Sequence, residues 1–492
     1  MPVKKLTDNH RNKLIQNTVA LGTSLYLLGL DFQILEEALT LQFQRKGQTV
    51  VDENVGVARA GFDHASANFE PFPEAIASGK KPLAVWTGND ALAMGGAAAG
   101  VKFYCAYPMS PSTGVLHWMA KNARELDILV RQVEDEIGVA NMAVGAAHAG
   151  CRAMCATSGG GFALMTEAIG SAGMMEIPVV FIDVQRAGPS TGVPTKTEQG
   201  DLWQILGASQ GDFERFIVAP KDALDAFNSI PELFNLCERV QCPGLVISDL
   251  LISEGTFSVD PDKIDMLPKI DRGELILDAP PPPARESGGS FAGGTDGNYL
   301  RYENTESGVS PRAVPGLPGY EHVVATDEHD ENCVLISDEF TNPLTRRKMV
   351  EKRARKFQNA VELIDPPDLE GPEDADVTLI GWGSTYGVIK EAVEQLKVEG
   401  IKANHLAIKW IVPFHVKAVT DAFSRAKKTI IVENNYSGQF ARYLRSETGL
   451  SADGHIRKYD GEPFMPHHVV NGVLDLLAGK TERYVPNQEI MV

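Results

Sequence analysis

The 492-residue chain has few cysteines, few aromatic rings and a deficit of positive charge. Its six cysteines (Cys105, Cys151, Cys155, Cys237, Cys242 and Cys333) form no C-x-x-C pair and no cluster-binding run, so the chain is expected to hold neither an iron–sulfur cluster nor a structural zinc. They are too few for a disulfide scaffold and fit the reducing cytoplasm, the location expected here. A shortage of Lys and Arg leaves a net charge of −19, which argues against nucleic acid or an anionic membrane as a partner. The longest early apolar run, Val19 to Leu30, is too short to cross a bilayer. Lys4 and Lys5 precede it, but it runs on into polar, helix-patterned sequence without an A-x-A-type cleavage site, so it reads as a buried helix. Also missing are the G-x-G-x-x-G fingerprint, a P-loop lysine and a G-x-S-x-G elbow. His322 and His329 lack metal-ligand spacing, and His467–His468 reads as surface.

What is present is ordinary globular composition, 43% apolar and 23% charged, in a chain too long for one compact core. Residues 1–67 read as helices (Asn17–Leu30, Phe32–Arg45, Val51–Ala67), and 68–82, with Pro71, Pro73, Gly79 and Pro82, as a linker. From Leu83 strands and helices alternate, which predicts a doubly wound parallel sheet over 83–250. Its strands are expected at Val101–Ala106, Ile128–Gln132, Met154–Thr157, Val179–Val184, Phe216–Ala219 and Leu245–Ser248. Ser112 is expected to cap a helix reaching Glu125, and further helices at Asp135–Ala149, Gly159–Met175, Glu198–Leu206 and Asp222–Val240. Residues 251–370 carry Pro280–Pro283 and the glycines between Gly288 and Gly297, and read as an extended connector that wraps the domains or a partner. A charged helix, Met349–Leu363, is expected near its end. A second α/β pattern fills 371–492, with strands at Asp376–Gly381, Asn404–Ala407 and Thr429–Glu433, each followed by a helix.

Chemistry concentrates between Tyr107 and Asp201, where the segments past the strand ends converge on one crevice. Glu136 follows an apolar strand and opens a helix with almost no other charge, so its carboxylate can be desolvated and share a proton with a ring nitrogen; the plainer reading is an acid favoured by the helix dipole. Arg186, after an apolar strand, is placed to clamp a carboxylate, though a salt bridge or an exposed loop position would also account for it. Ser110 and Ser112, between or beside Pro108 and Pro111, read as turn formers and a helix cap. Ser158 and Gly159–Gly161 have the look of an anion nest at a helix start. Lys196, in a polar loop, could meet a second carboxylate or be merely solvated.

Together the blocks are specific. Tyr-Pro-Met-Ser-Pro-Ser-Thr (107–113), Glu-Asp-Glu (134–136), Ala-Thr-Ser-Gly-Gly-Gly-Phe (156–162) and Asp-Val-Gln-Arg-Ala-Gly-Pro-Ser-Thr-Gly-Val-Pro-Thr-Lys-Thr-Glu-Gln-Gly-Asp-Leu (183–202) resemble the α subunit of 2-oxoacid:ferredoxin oxidoreductases, most nearly the 2-oxoglutarate type. Gly-Val-Ser-Pro-Arg-Ala-Val-Pro-Gly (308–316), Gly-Trp-Gly-Ser-Thr (381–385) and Val-Glu-Asn-Asn-Tyr-Ser-Gly-Gln (432–439) extend the likeness over nearly the whole chain. The resemblance implies a thiamine diphosphate-enzyme pyrimidine-binding domain at 83–250 and a transketolase C-terminal-like domain at 371–492. It makes Glu136 the catalytic partner of N1′ of the thiamine pyrimidine, with Pro108, Ser158 and Gly159 beside the cofactor. Arg186 and Ser110 would orient the substrate, and Lys196 a distal carboxylate. A 2-oxoacid would be decarboxylated to acyl-coenzyme A, with electrons passed to ferredoxin and the chain active only with a β subunit. That subunit is implied to hold Mg2+ and a [4Fe-4S] cluster, in an α2β2 heterotetramer. Pyruvate or another 2-oxoacid, and a non-catalytic assembly subunit of the same fold, are the alternatives. Ser110 stands where the family often has Thr. Residues 1–67 resemble the C-terminal end of a γ-type domain often fused ahead of this subunit, which helps to hold coenzyme A.

Overall fold

A computed structural model describes residues 15–73, 81–280, 299–336 and 342–487 of the chain. Lys4 and Lys5, residues 74–80 of the 68–82 linker, Pro281–Pro283 and the Gly288–Gly297 stretch lie outside the described residues. The chain divides into two compact units, Met1–Pro82 and Leu83–Val492.

The first unit is helical: α1 (Gln16–Leu27), α2 (Phe32–Phe43) and α3 (Gln48–Asn68). α1 and α3 touch backbone to backbone, since a Cβ on Gly22 would stand 1.9 Å from the Ala58 carbonyl oxygen. Small residues make that approach possible, and larger side chains such as Phe32 and Leu39 fill the remaining seam.

The second unit opens with β1 (Ala84–Thr87), α4 (Gly88–Ala98), β2 (Val101–Ala106), α5 (Thr113–Asn122), β3 (Leu129–Gln132), α6 (Glu136–His148), β4 (Arg152–Thr157), α7 (Gly159–Met174) and β5 (Val180–Gln185). The short α8 (Leu202–Leu206), β6 (Phe216–Val218), α9 (Ala223–Val240), β7 (Gly244–Asp249), α10 (Leu250–Glu254) and β8 (Thr256–Val259) follow. β4, β5 and β7 are buried along their whole length. That is why they read as mainly apolar runs, as strands covered on both faces do, with Asp183 inside β5 the exception. The sheet order is β14-β6-β7-β5-β4-β2-β3, where β14 is Trp410–Val412 from the last part of the chain; it is parallel except for β14, and apolar clusters fill both faces. The chain leaves β2 towards β3 and then crosses to β4 on the other side, so the crevice beyond the ends of β2 and β4 is the topological switch point.

Two expectations here are corrected. Ser112 does not cap α5 through its hydroxyl, which donates instead to the Met109 carbonyl at 2.8 Å, and the helix ends at Asn122 rather than Glu125. The helix expected at 198–206 begins only at Leu202. Gln199 is drawn out of it because its side chain donates to the Trp382 carbonyl (2.8 Å) and accepts from Asn434 N (2.9 Å).

The described part of the connector is strapped down rather than loose. β8 pairs with β1, and the short β9 (Leu275–Ile276) with β10 (Arg312–Ala313). Two buried acids of the first sheet region anchor it. Glu238 meets Arg272 and Arg312, each at 3.0 Å. Glu176 meets Lys352 (2.8 Å) and Lys356 (2.9 Å) from α11 (Pro343–Arg355) and the residue after it. Burial opposes ionisation of Glu176, but Lys356, Lys352 and Arg301 outweigh it and hold the carboxyl far below its ordinary range. Helix α11 stops at Arg355, and only a 3-10 turn at Ala360–Leu363 continues the helix expected to reach Leu363.

The last part holds β11 (Asp368–Glu370), β12 (Val377–Trp382), α12 (Thr385–Val398), β13 (Ala403–Ile408), β14 (Trp410–Val412), α13 (Val416–Arg425) and β15 (Thr429–Glu433). It closes with α14 (Gln439–Thr448), β16 (Gly454–Arg457), α15 (Pro466–Leu477) and β17 (Arg483–Tyr484). Its sheet runs β11-β13-β12-β15-β16-β17, parallel except at the β11 edge. β14 does not stay in it but crosses to pair antiparallel with β6 of the first sheet. The architecture is therefore α/β throughout the second unit, two doubly wound sheets joined by an exchanged strand. No helix among the described residues is long and apolar enough to cross a membrane.

Candidate active site

Glu136 is the first residue of α6. The preceding Asp135 caps that helix by accepting from Gly138 N at 2.7 Å, so the start of the helix does not need the Glu136 carboxylate. Glu136 is nevertheless 3% exposed, and its Oε1 has no hydrogen-bond partner. A buried, unsatisfied carboxylate oxygen is costly and is retained where a ligand satisfies it. It faces the start of α7 across the switch point. A Cβ on Gly161 would stand 2.5 Å from Glu136 Oε1 and 2.1 Å from Thr157 Oγ1, so only glycine allows the carboxylate to lie there. Ser158, at the N-cap of α7, is fully buried with an unpartnered hydroxyl, while its carbonyl accepts from Gly161 N (2.7 Å) and Phe162 N (2.9 Å).

Arg186 follows β5. Its Nη1 donates to the Ser110 carbonyl at 2.8 Å, which ties the 107–113 block to the 183–192 block. Its Nε is buried and unpartnered. Arg186, Gly159, Gly160, Glu198 and Asp201 line a cleft of about 660 Å³ whose far wall is Asn435–Ser437 and Gln439, the turn after β15. That turn is fixed by Glu433, which accepts from Asn435 Nδ2 and Phe440 N, both at 2.9 Å. Gln439 closes the wall by donating to the Gly200 carbonyl at 2.7 Å.

The structure thus brings Glu136, Ser158, Gly159 and Arg186 together, with the backbone of Ser110. Two expected residues lie elsewhere. Pro108 is exposed and lines a separate groove with His117, Arg124 and Gln132 on the β3 side. Lys196 forms an ion pair with Glu462 rather than lining the cleft. Glu198 and Asp201 are cleft residues that sequence reasoning passed over. Both lie inside or beside a quoted block, and nothing in sequence distinguishes an acid turned into a cleft from a solvated one. Burial, with help from Asp201, pushes Glu198 up to about 7. Burial pushes Asp201 up to about 6 against the pull of Arg186.

Residues 94–338 match the family model described as pyruvate flavodoxin/ferredoxin oxidoreductase, thiamine diphosphate-binding. Residues 375–469 match the pyruvate:ferredoxin oxidoreductase core domain II, and 1–64 the pyruvate ferredoxin/flavodoxin oxidoreductase model. The α subunit of 2-oxoacid:ferredoxin oxidoreductase 2 from Aeropyrum pernix is 34% identical over 95% of this chain and 73% of its own length. The chain belongs to the α subunits of the 2-oxoacid:ferredoxin oxidoreductases. Subunit KorA of the 2-oxoglutarate oxidoreductase of Mycobacterium tuberculosis is 31% identical over 96% of this chain and 69% of its own. A solved 2-oxoglutarate:ferredoxin oxidoreductase from Magnetococcus marinus, with 2-oxoglutarate, coenzyme A and succinyl-CoA bound, superposes with a TM-score of 0.86 at 32% identity, covering 97% of this chain and 80% of that one. The residues present fit the cofactor that this family uses: an orphaned buried carboxylate oxygen, a glycine cradle that a Cβ would fill, and a free buried hydroxyl at a helix start.

Proposed function

We propose that this chain, with a β subunit, catalyses the oxidative decarboxylation of 2-oxoglutarate to succinyl-coenzyme A, with electrons passing to ferredoxin. The observation that carries the reading is the unpartnered Glu136 Oε1 held against Gly161 at the switch point, next to a cleft whose lining includes one cation, Arg186. Thiamine diphosphate, when bound, supplies the carbon nucleophile and the electron sink that this chemistry requires. Glu136 presents the oxygen that holds a proton at a ring nitrogen, and Ser158 with Gly159 and Gly160 lines the approach. Arg186 seats the substrate carboxylate by charge-assisted hydrogen bonds, and the Ser110 hydroxyl orients the keto oxygen.

Exposed Tyr107, Leu129, Ile137, Met142 and Leu164, on elements bordering the crevice, offer an apolar surface for the β subunit. That subunit supplies Mg2+ and the [4Fe-4S] cluster in this account, in a cytoplasmic α2β2 assembly. Glu136→Gln in the reconstituted complex tests the reading: activity falls at least about 10²-fold if Glu136 moves a proton, and full activity refutes the assignment.

A second reading, pyruvate or another monocarboxylic 2-oxoacid, is favoured by one observation. Lys196 is already paired with Glu462, so it meets a distal carboxylate only by exchanging that partner. Lys196→Ala should narrow the preference for 2-oxoglutarate over pyruvate about tenfold if the exchange occurs, as loss of one charged contact implies. An unchanged ratio of the two kcat/KM values assigns Lys196 to Glu462 alone.

A further inference from the structure

Glu198 and Asp201 line the cleft that carries Arg186, and Asp183 lies behind them on β5. Asp183 is fully buried and neither of its carboxylate oxygens has a hydrogen-bond partner; Asp201 Oδ2 has none either. Asp201 is pressed against the start of α7, where a Cβ on Gly159 would stand 2.6 Å from its Oδ2. Its backbone is held by Gln185, whose Oε1 accepts from Asp201 N at 3.0 Å.

The groups that face this cluster are few. Arg186 stands after β5, Glu136 opens α6 on the far side of Gly161, and Glu433 ends β15 behind Asn435. Gln204, Gln439 and Asn435 are neutral. Among the residues lining the cleft Arg186 is the one cation, set against the acids Glu198 and Asp201. Asp201 adds to the cost of ionising both Asp183 and Glu198, and burial adds to it at all three, so ionising the three carboxyls together is disfavoured.

We propose that Glu198 and Asp201, backed by Asp183, are positioning acids of the Arg186 seat: they carry a proton whenever a 2-oxoacid anion is seated, so that the anion is taken up together with about one proton. The proposal rests on the reading that the substrate carboxylate sits at Arg186. A seated anion raises the cost of a neighbouring carboxylate charge, and a protonated acid turns from a repelling group into a hydrogen-bond donor towards that anion. Burial has already brought Glu198 to about 7 and Asp201 to about 6, so the coupling operates across neutral pH. Once the carboxylate leaves as neutral carbon dioxide, the reason for holding the proton disappears and the proton can be released.

The test is titration calorimetry of the α–β complex, loaded with thiamine diphosphate and Mg2+, using N-oxalylglycine, a 2-oxoglutarate mimic whose amide carbonyl resists attack. Binding is measured between pH 6 and pH 8.5 in buffers of different ionisation enthalpy. The expected result is net uptake of up to one proton and a Kd that weakens towards about tenfold per pH unit above pH 7, the slope of one linked proton. Glu198→Gln should reduce the uptake, flatten the pH dependence and tighten binding at pH 8; Asp201→Asn should act in the same direction. A purely structural role for these acids would change affinity without changing proton uptake. Proton-neutral binding in the wild type, with binding lost in Arg186→Ala, overturns the proton coupling and leaves the seat standing. Binding unaffected by Arg186→Ala overturns the seat and the coupling with it.

Discussion

Replacing Gly161 by Ala adds one methyl group at the tightest point of the site. The new Cβ would lie 2.1 Å from Thr157 Oγ1 and 2.5 Å from Glu136 Oε1, both inside any contact distance, so the hydroxyl and the carboxylate must move. Thr157 has little room, because its hydroxyl already lies against Met109 Sδ at 3.9 Å. Two opposing terms set the stability change. Overpacking costs about 1–3 kcal/mol, and exchanging Gly for Ala inside a helix returns about 1 kcal/mol. The net effect is a loss of about 1 kcal/mol, too small to unfold the protein. Catalysis suffers more, since displacing a reacting group by about 1 Å costs on the order of 10²-fold. Gly387→Ala is the matched control: it is likewise the third residue of a helix, α12, lies outside the cleft lining, and its Cβ meets nothing within 4 Å, so the same exchange there should be neutral or slightly stabilising with near-normal activity. Steady-state dye reduction by the reconstituted complex, alongside urea unfolding of each variant, separates the terms. Equal activity in the two variants would refute the claim that Gly161 exists to let Glu136 into the site.

The raised carboxyls also predict a pH dependence of stability. Between about pH 4.5 and 7 the folded chain keeps protons on Glu198 and Asp201 that the unfolded chain releases, so stability is highest below that window and falls as pH rises through it. Thermal unfolding from pH 5 to 8 should show that decline, and Glu198→Gln should make it shallower; a parallel decline in the variant would remove Glu198 from the account. Lys352→Met removes one cation from buried Glu176 and should cost about 3 kcal/mol in urea unfolding, because a charge is left with one amine partner in a dry site. A loss below about 1 kcal/mol would mean that the connector is not pinned there.

The central strands were legible in the sequence because both of their faces are buried: β4, β5 and β7 are mainly apolar runs, with polar residues at their ends and Asp183 inside β5. Trp410–Val412 escaped because it lies two residues past the end of β13 and becomes a strand only by pairing with β6, some 190 residues earlier in the chain. β16 escaped for a related reason. Gly454–Arg457 alternates buried and half-buried positions over four residues, too short to announce a period. At the site, the position of Glu136 at a helix start was readable from the strand before it and the uncharged helix after it. Its isolation was not, since that depends on Asp135 taking over the cap and on Gly161 leaving space. Lys196 shows the converse. A lone polar-loop lysine looked available to a ligand, and the chain placed Glu462 beside it from more than 260 residues away. The cleft acids belong to the same class, because burial and the neighbouring carboxyl set their character, and both are tertiary facts.

The most direct test of the whole account is reduction of a low-potential dye by this chain, alone and with its β subunit. The assay contains thiamine diphosphate, Mg2+, coenzyme A and either 2-oxoglutarate or pyruvate. The account predicts turnover only with the β subunit, preferentially on 2-oxoglutarate, and its loss in Glu136→Gln. A stable complex that reduces no dye with either oxoacid, or one indifferent to Glu136→Gln, would contradict it.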